Sequence, residues 1–339
     1  MNTTAVKAFP LYSLGMGLLA AVLYTSGLAS FLFLLPLLVV EGRCGYKAMV
    51  SAAAAALAVF LILALVFSFG EGSVSLWHGF WLFLPAIAMI IGITVFAHPA
   101  LRRLDFTPRI MVLGLLAGLA SLPVLLQFAA WPEFAVLLDA MLQQMNSYLN
   151  TGEMPVADFI VFFRDFLIGF WPAIVFLWLF VSVWMSSRWL RNRVVRASLI
   201  PGQVMSPTLL EGLGRQLIGT GLSPLLHLYR VPTYLVWPLL GSWSLLLATR
   251  FTAIGPLDAL ATNLAFALSV CYAVQGLAVL FVKISRTRMA PAAGVILIVL
   301  LVITAVGGTS GLVIGVGLAL VGTLETWIPF RIQSKGEQP

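Results

Sequence analysis

The sequence contains few charged residues. Only 9% of its 339 residues are charged, and 61% are hydrophobic, whereas a soluble domain carries about 25% charged residues to cover its surface. The mean hydropathy is +1.05. This composition excludes a soluble enzyme, a secreted disulfide scaffold and a disordered regulator. It predicts an all-α polytopic membrane protein, because lipid must be its main solvent.

Cysteines and catalytic motifs are also scarce. Cys44 and Cys271 lie in or beside apolar segments without a CxxC spacing, so they indicate neither a disulfide nor a metal site. The sequence contains no GxSxG, HExxH or phosphate-binding P-loop motif. We therefore expect no enzymatic activity, metal or cofactor. The alternative is a lipid-modifying enzyme whose catalytic groups come from different helices.

The basic residues are distributed in a way that argues against nucleic-acid binding. The net charge is +7, but the lysines and arginines stand in short clusters between apolar runs. That distribution is typical of the loops of a membrane protein.

Eight runs without charge define the membrane layout. Six of them fit one spanning helix of about 20 residues each. The first and last would reach roughly 50 Å as single helices, more than a whole bilayer. Both contain a break that suits a turn, Thr25-Ser26-Gly27 in the first and Gly307-Gly308-Thr309-Ser310-Gly311 in the last. These breaks predict two hairpins and ten segments. The alternative is eight or nine helices, with one or two strongly tilted. The runs are 8–40, 48–70, 72–101, 110–132, 166–187, 231–249, 259–282 and 289–324.

The positive-inside rule predicts the orientation of this layout. If the loop with Arg102, Arg103 and Arg109 is cytoplasmic, alternation places all 19 lysines and arginines inside except Arg164 and Arg250. Both termini are then cytoplasmic. We expect one integral membrane domain over 1–339, with an amphipathic outer segment at 133–158 and a basic cytoplasmic segment at 188–230.

Charged and aromatic residues near the outer side form a candidate ligand site. Arg164 and Asp165 begin a spanning helix, and ionisable groups near hydrocarbon are expensive enough to indicate a function. Arg164 would hold an anionic group and Asp165 would pair with Arg250. Trp77 and His78 stand at the predicted entrance. The alternatives are that Arg164 anchors to headgroups and that the aromatic residues form the interfacial belt.

Polar residues of the later helices have a mainly structural interpretation. Gln275 joins the candidate substrate-binding residues, but buried amides more often link neighbouring helices, and Gly276 would allow another helix to approach closely. Glu325 most simply pairs with a cytoplasmic arginine, whereas Trp327 and Arg331 are typical interfacial anchors.

A row of arginines continues one spanning helix into the cytoplasm. Anionic lipids would attract these side chains. The alternative is a docking surface for a protein partner. The residues are Arg188, Arg191, Arg193 and Arg196.

Several short motifs follow one another along the chain. They are Pro36–Gly45, Trp171-Pro172-Ala173, Arg230-Val231-Pro232, Trp237-Pro238, Tyr272–Val279 and Gly322–Arg331. Their order and spacing resemble the YybS-like family of predicted bacterial membrane proteins, from about residue 10 to 332. That family is distantly similar to the S components of energy-coupling-factor transporters, which implies an S-component-like bundle in the bacterial cytoplasmic membrane and a separate coupling subunit.

Two functional hypotheses follow. The first is binding or transport of a small molecule in the manner of an S component. The second is a scaffold or assembly factor that docks a protein through the arginine row. An enclosed polar cavity would favour binding, and a filled core would favour the scaffold.

Overall fold

The computed structural model describes residues 3–27, 30–70, 76–129, 169–188, 225–249, 251, 255–306 and 308–331, together with Val136 and Ala140. In these ranges the chain forms α-helices and short 3₁₀ turns, without a β-strand. Four helices are long and apolar enough to cross a membrane, namely Tyr46–Val66, Phe106–Val124, Gly169–Arg188 and Leu257–Ser285. The prediction of an all-α polytopic membrane protein is confirmed.

The described ranges contain ten α-helices, numbered here in chain order. They are α1 Thr3–Thr25, α2 Leu35–Cys44, α3 Tyr46–Gly70, α4 Leu76–Phe96, α5 Phe106–Ala129, α6 Gly169–Arg188, α7 Val236–Thr249, α8 Gly255–Ser285, α9 Ala293–Val306 and α10 Gly308–Leu324.

Both predicted breaks in the long apolar runs are confirmed. Helix α1 ends at Thr25, and Gly27 follows with a φ of +69°, a left-handed conformation that favours glycine. Helix α10 packs back against α9, since a Cβ atom at Gly311 would lie 2.5 Å from the carbonyl oxygen of Ile303. The two helices of the first hairpin differ in length, since α1 has 23 residues and α2 has ten. Helix α2 starts late because the chain first makes a 3₁₀ turn at Ser30–Leu32.

The chain divides into two compact units. Unit 1 comprises Met1–Leu104, Arg109–Leu210 and Gly219–Leu222, and unit 2 comprises Asp105–Pro108, Glu211–Ile218 and Ser223–Pro339. The single domain over 1–339 stays a prediction.

Small residues bring α1 and α3 of unit 1 together. A Cβ atom at Gly17 would clash with the carbonyl oxygen of Ala52 and lie 2.9 Å from the Cβ of Ala55. Ala52 and Ala56 are fully buried. The alanine-rich stretch at 52–58 therefore packs within the chain, as close helix contacts in membranes require.

This contact predicts a local sensitivity in α1. Gly17→Ala should destabilise unit 1 by about 1–3 kcal/mol, because the new methyl group overlaps the backbone of α3. Gly15→Ala is the matched control, since no atom outside its own helical turns lies within 4 Å of its Cβ position. Thermal unfolding of the purified full-length protein measures both effects. Equal midpoints for the two variants would contradict the contact.

Arg109 departs from the sequence prediction. It was expected in a cytoplasmic loop, but it lies in the first turns of α5 and is only 6% exposed. Its guanidinium group donates to the carbonyl oxygen of Leu101 at 3.1 Å and lies 4.2 Å from the ring centroid of Phe96. The hydrogen bond and the cation–π contact stabilise the buried charge.

Unit 2 is built around α8. This helix packs against α10, α7 and α9, and against the 3₁₀ turn Leu226–Leu228. Asp258 lies in its first turn and Lys283 in its last, a placement that complements the helix dipole. The polar residues described next all belong to this unit.

Candidate functional site

Two glycines let α8 and α10 approach until their backbones touch. A Cβ at Gly276 of α8 would overlap the carbonyl oxygen of Leu318, and a Cβ at Gly322 of α10 would overlap that of Tyr272. Any side chain at either glycine would push the helices apart. The prediction that Gly276 permits a close helix approach is confirmed.

Gln275 joins three segments beside this seam. The side chain is 2% exposed. Its Nε2 donates to the carbonyl oxygen of Gly322 at 2.9 Å, and its Oε1 accepts a hydrogen bond from the backbone N–H of Val231 at 2.6 Å. One amide thus connects α8 to α10 and to the extended segment before α7. The interpretation of Gln275 as an interhelical link is confirmed.

A buried ion pair lies at the end of α10. Glu325 and Arg331 have side chains that are 3% and 5% exposed. Nε of Arg331 donates to Oε1 of Glu325, and its second terminal nitrogen donates to Oε2 at 2.6 Å. Both carboxylate oxygens are therefore occupied, in the bidentate geometry that guanidinium groups favour. The prediction that Glu325 pairs with an arginine is confirmed.

Arg331 also holds the segment that precedes α7. It donates to the carbonyl oxygens of His227 and Tyr229, both at 2.9 Å. Arg286 in turn donates to the carbonyl oxygen of Arg331 at 3.1 Å. The prediction of Arg331 as an interfacial anchor is wrong, because its side chain is satisfied inside the protein. Trp327, with 60% of its surface exposed, remains free to serve as an anchor.

Tyr229 packs under this segment. It is fully buried, and its hydroxyl oxygen accepts a hydrogen bond from Oγ1 of Thr107 at 3.3 Å. The ring of Phe106 packs edge-on against it. Burial raises the pKa of Tyr229 well above its ordinary value, so its phenol stays neutral. The buried ring of Tyr229 and the hydrogen bond of its hydroxyl group tie this segment to the start of α5.

These elements surround a small cavity of about 90 Å³. It has room for about three water molecules. Gln275 and Glu325 form part of its wall, and Arg230 and Thr233 are exposed residues of its lining. The full lining is Arg230, Val231, Thr233, Gln275, Glu325, Thr326 and Pro329.

One predicted ligand-site residue, Gln275, lies at this cavity. Arg164, Asp165 and Arg250 lie outside the described residues, so their pairing stays a prediction. Trp77 and His78 fall on α4, where the backbone alone is described.

The predicted arginine row is described at one position only. Arg188 is exposed at the last described residue of α6, whereas Arg191, Arg193 and Arg196 lie outside the described residues. Most of the amphipathic segment 133–158 and most of the basic segment 188–230 lie outside them as well. Among the described residues, no group of three or more histidine, cysteine, aspartate or glutamate side chains could hold a metal ion.

The sequence interpretation missed Arg230, Thr233, Thr326 and Pro329 as cavity residues. Arg230 was interpreted as a loop charge and as part of the motif Arg230-Val231-Pro232, without a ligand role. Arg230 stands directly before Val231-Pro232, where a basic loop meets an apolar run. That position could have indicated a cavity residue.

The model of a family described as "Predicted membrane protein (DUF2232)" matches residues 223–319. The chain is similar to uncharacterised membrane proteins. The match contains Arg230, Thr233 and Gln275 but stops before Glu325 and Arg331. No curated protein and no solved structure matches the chain. The resemblances to YybS-like proteins and to S components, the bacterial inner membrane and the orientation of the termini stay predictions.

Proposed function

We propose that this membrane protein binds a small polar molecule in the cavity of unit 2, as a step in its transport. The observation that carries the proposal is the cavity itself, whose lining includes an arginine, a glutamate, a glutamine and two threonines. Polar groups near a membrane are retained where they contact a ligand or one another. The resemblance to S components supports the same function and adds a separate coupling subunit as the source of energy. The proposal assigns no catalytic step to the chain.

The size of the cavity limits the ligand. Sites for drug-sized molecules occupy about 300–1,000 Å³, several times the volume of about 90 Å³ observed here. The proposed ligand is therefore a molecule of a few heavy atoms, or a larger molecule whose polar end group enters the cavity. A vitamin would place most of its atoms outside the cavity.

Blocking the cavity tests the proposal. Thr233→Trp should reduce the fraction of protein that carries a ligand by roughly ten- to hundredfold, because a bulky ring at the exposed lining position overlaps the bound molecule at a cost of about 1–3 kcal/mol. Native mass spectrometry of the full-length protein, gently extracted at natural abundance, measures the bound fraction.

Tyr234→Trp is the matched control. Tyr234 is the next residue and is 54% exposed, but it does not line the cavity. The Tyr234→Trp variant should retain the bound ligand. Wild-type protein without any bound small molecule, or equal loss in both variants, would contradict the proposal.

The scaffold hypothesis remains the second candidate, favoured by the exposed Arg188 at the end of α6. It proposes that a protein partner docks on the row Arg188, Arg191, Arg193 and Arg196. Under this hypothesis a partner copurifies with the wild type and is lost when these arginines are changed to glutamine. A ligand without a partner in the mass spectra would favour binding instead.

A further inference from the structure

We infer that the cavity of unit 2 recognises a phosphate group. The inference deepens the proposed function and rests on it, since it names the chemical class of the ligand. It follows from which hydrogen-bonding groups of the lining are already used and which are free.

The side-chain oxygens of Glu325 and Gln275 in the cavity wall already accept hydrogen bonds from within the protein. Both carboxylate oxygens of Glu325 accept from Arg331, and Oε1 of Gln275 accepts from Val231. A ligand that donates hydrogen bonds would therefore compete with contacts inside the protein. The negative charge of Glu325 is likewise neutralised by its partner.

Donor groups remain available in the lining. Among the described residues, the guanidinium group of Arg230 has no hydrogen bond or ion pair, and neither does the hydroxyl group of Thr233. Nε2 of Gln275 has two hydrogens, one of which binds Gly322. A surplus of donors selects a ligand rich in acceptors, and an anion is the strongest such partner.

The charge of the residues around the cavity also favours an anion. One arginine, Arg230, lines the cavity, and a second, Arg331, neutralises the lining carboxylate of Glu325, so the charge of Arg230 is left over. A guanidinium group binds two oxygens of a phosphate at once. The volume of about 90 Å³ suits a group of that size.

The residues next to the lining indicate a position at the membrane surface. Tyr234, Trp237 and Trp327 follow lining residues closely in sequence and are 54%, 73% and 60% exposed. Exposed tyrosine and tryptophan side chains are typical of the headgroup level of a bilayer. The phosphate group at this level belongs either to a lipid headgroup or to a soluble phosphate compound.

Arg230→Gln tests the inference on the full-length protein. Two probes are used: inorganic phosphate added to the protein in detergent, and phosphatidic acid included in phosphatidylcholine nanodiscs. At least one probe should raise the unfolding temperature of the wild type. Arg230→Gln should weaken that binding by roughly ten- to hundredfold, the expected loss of a charged hydrogen-bonding partner. Arg230→Lys should restore part of it, because it retains the charge without the planar fork.

Arg288→Gln is the matched control, because Arg288 is exposed but does not line the cavity. It should bind both probes like the wild type. A response to inorganic phosphate alone supports a soluble phosphate compound, a response to phosphatidic acid alone supports a lipid headgroup, and responses to both support recognition of the phosphate group itself.

Two results would overturn the inference: no response of the wild type to either probe, or equal weakening by Arg230→Gln and Arg288→Gln. Its failure is distinguishable from failure of the proposed function. A small molecule that is retained by the wild type and lost in Thr233→Trp would preserve ligand binding even if neither phosphate probe acts.

Discussion

Replacing Glu325 with glutamine is expected to destabilise unit 2 by about 3–5 kcal/mol, the usual effect of removing one partner of a buried ion pair. The substitution keeps the shape of the side chain but leaves the charge of Arg331 uncompensated, with 5% of that side chain exposed. Thermal unfolding of the full-length protein in detergent measures the loss. The amount of folded protein in the membrane should fall with it.

The control for this prediction is Arg288→Gln, which removes an exposed charge from the same unit and should change stability by less than about 0.5 kcal/mol. Glu325→Gln combined with Arg331→Met should recover part of the loss, because no unpaired charge remains. Recovery stays partial, since the carbonyl oxygens of His227 and Tyr229 lose their donor. If Glu325→Gln alone is as stable as Arg288→Gln, the ion pair between Glu325 and Arg331 contributes nothing to stability.

The second large effect is expected at the seam between α8 and α10. Gly322→Ala should lower the stability of unit 2 by about 3 kcal/mol, at the upper end of the usual range for overpacking. The added methyl group would overlap the carbonyl oxygen of Tyr272. A backbone atom cannot rotate away, so the two helices would have to separate.

Gly317→Ala is the control on the same helix. Its Cβ position has no atom outside its own helical turns within 4 Å, so the change should be neutral or stabilise α10 by up to about 1 kcal/mol through helix propensity. Unfolding midpoints of the two variants give the comparison directly. If Gly322→Ala behaves like Gly317→Ala, the close approach of α8 and α10 is not present in solution.

The sequence was sufficient for the fold class and for the breaks in the long apolar runs. A low charge content leaves few alternatives to a helical membrane protein, and Gly27 and the three glycines within 307–311 signal turns. Uneven helix lengths in the first hairpin were not predictable, because a 3₁₀ turn before Leu35 leaves no strong pattern in an apolar run.

Candidate site residues were predicted in part, for a physical reason. Gln275 was found because an amide in an apolar helix needs a partner, and Glu325 because an isolated carboxylate needs a cation. The amide of Gln275 binds the backbone of Val231 and Gly322, and Arg331, the partner of Glu325, also binds the carbonyl oxygens of His227 and Tyr229. Since every residue carries such groups, sequence alone does not show which of them a side chain will bind.

The role of Arg331 was misjudged for the same reason. An arginine near a tryptophan at the end of an apolar run is typical of an interfacial anchor. Its actual environment depends on carbonyl oxygens more than 100 residues earlier, which no local pattern predicts.

The distance along the chain between Arg331 and its acceptors has a consequence for biosynthesis. The carbonyl oxygens of His227 and Tyr229 precede it by 104 and 102 residues. At about 5–20 residues per second, a ribosome needs roughly 5–20 s to make that stretch. During this interval the segment before α7 lacks its donors, and water, lipid headgroups or a chaperone must solvate it. Unit 2 therefore completes these hydrogen bonds only after Arg331 has been synthesised.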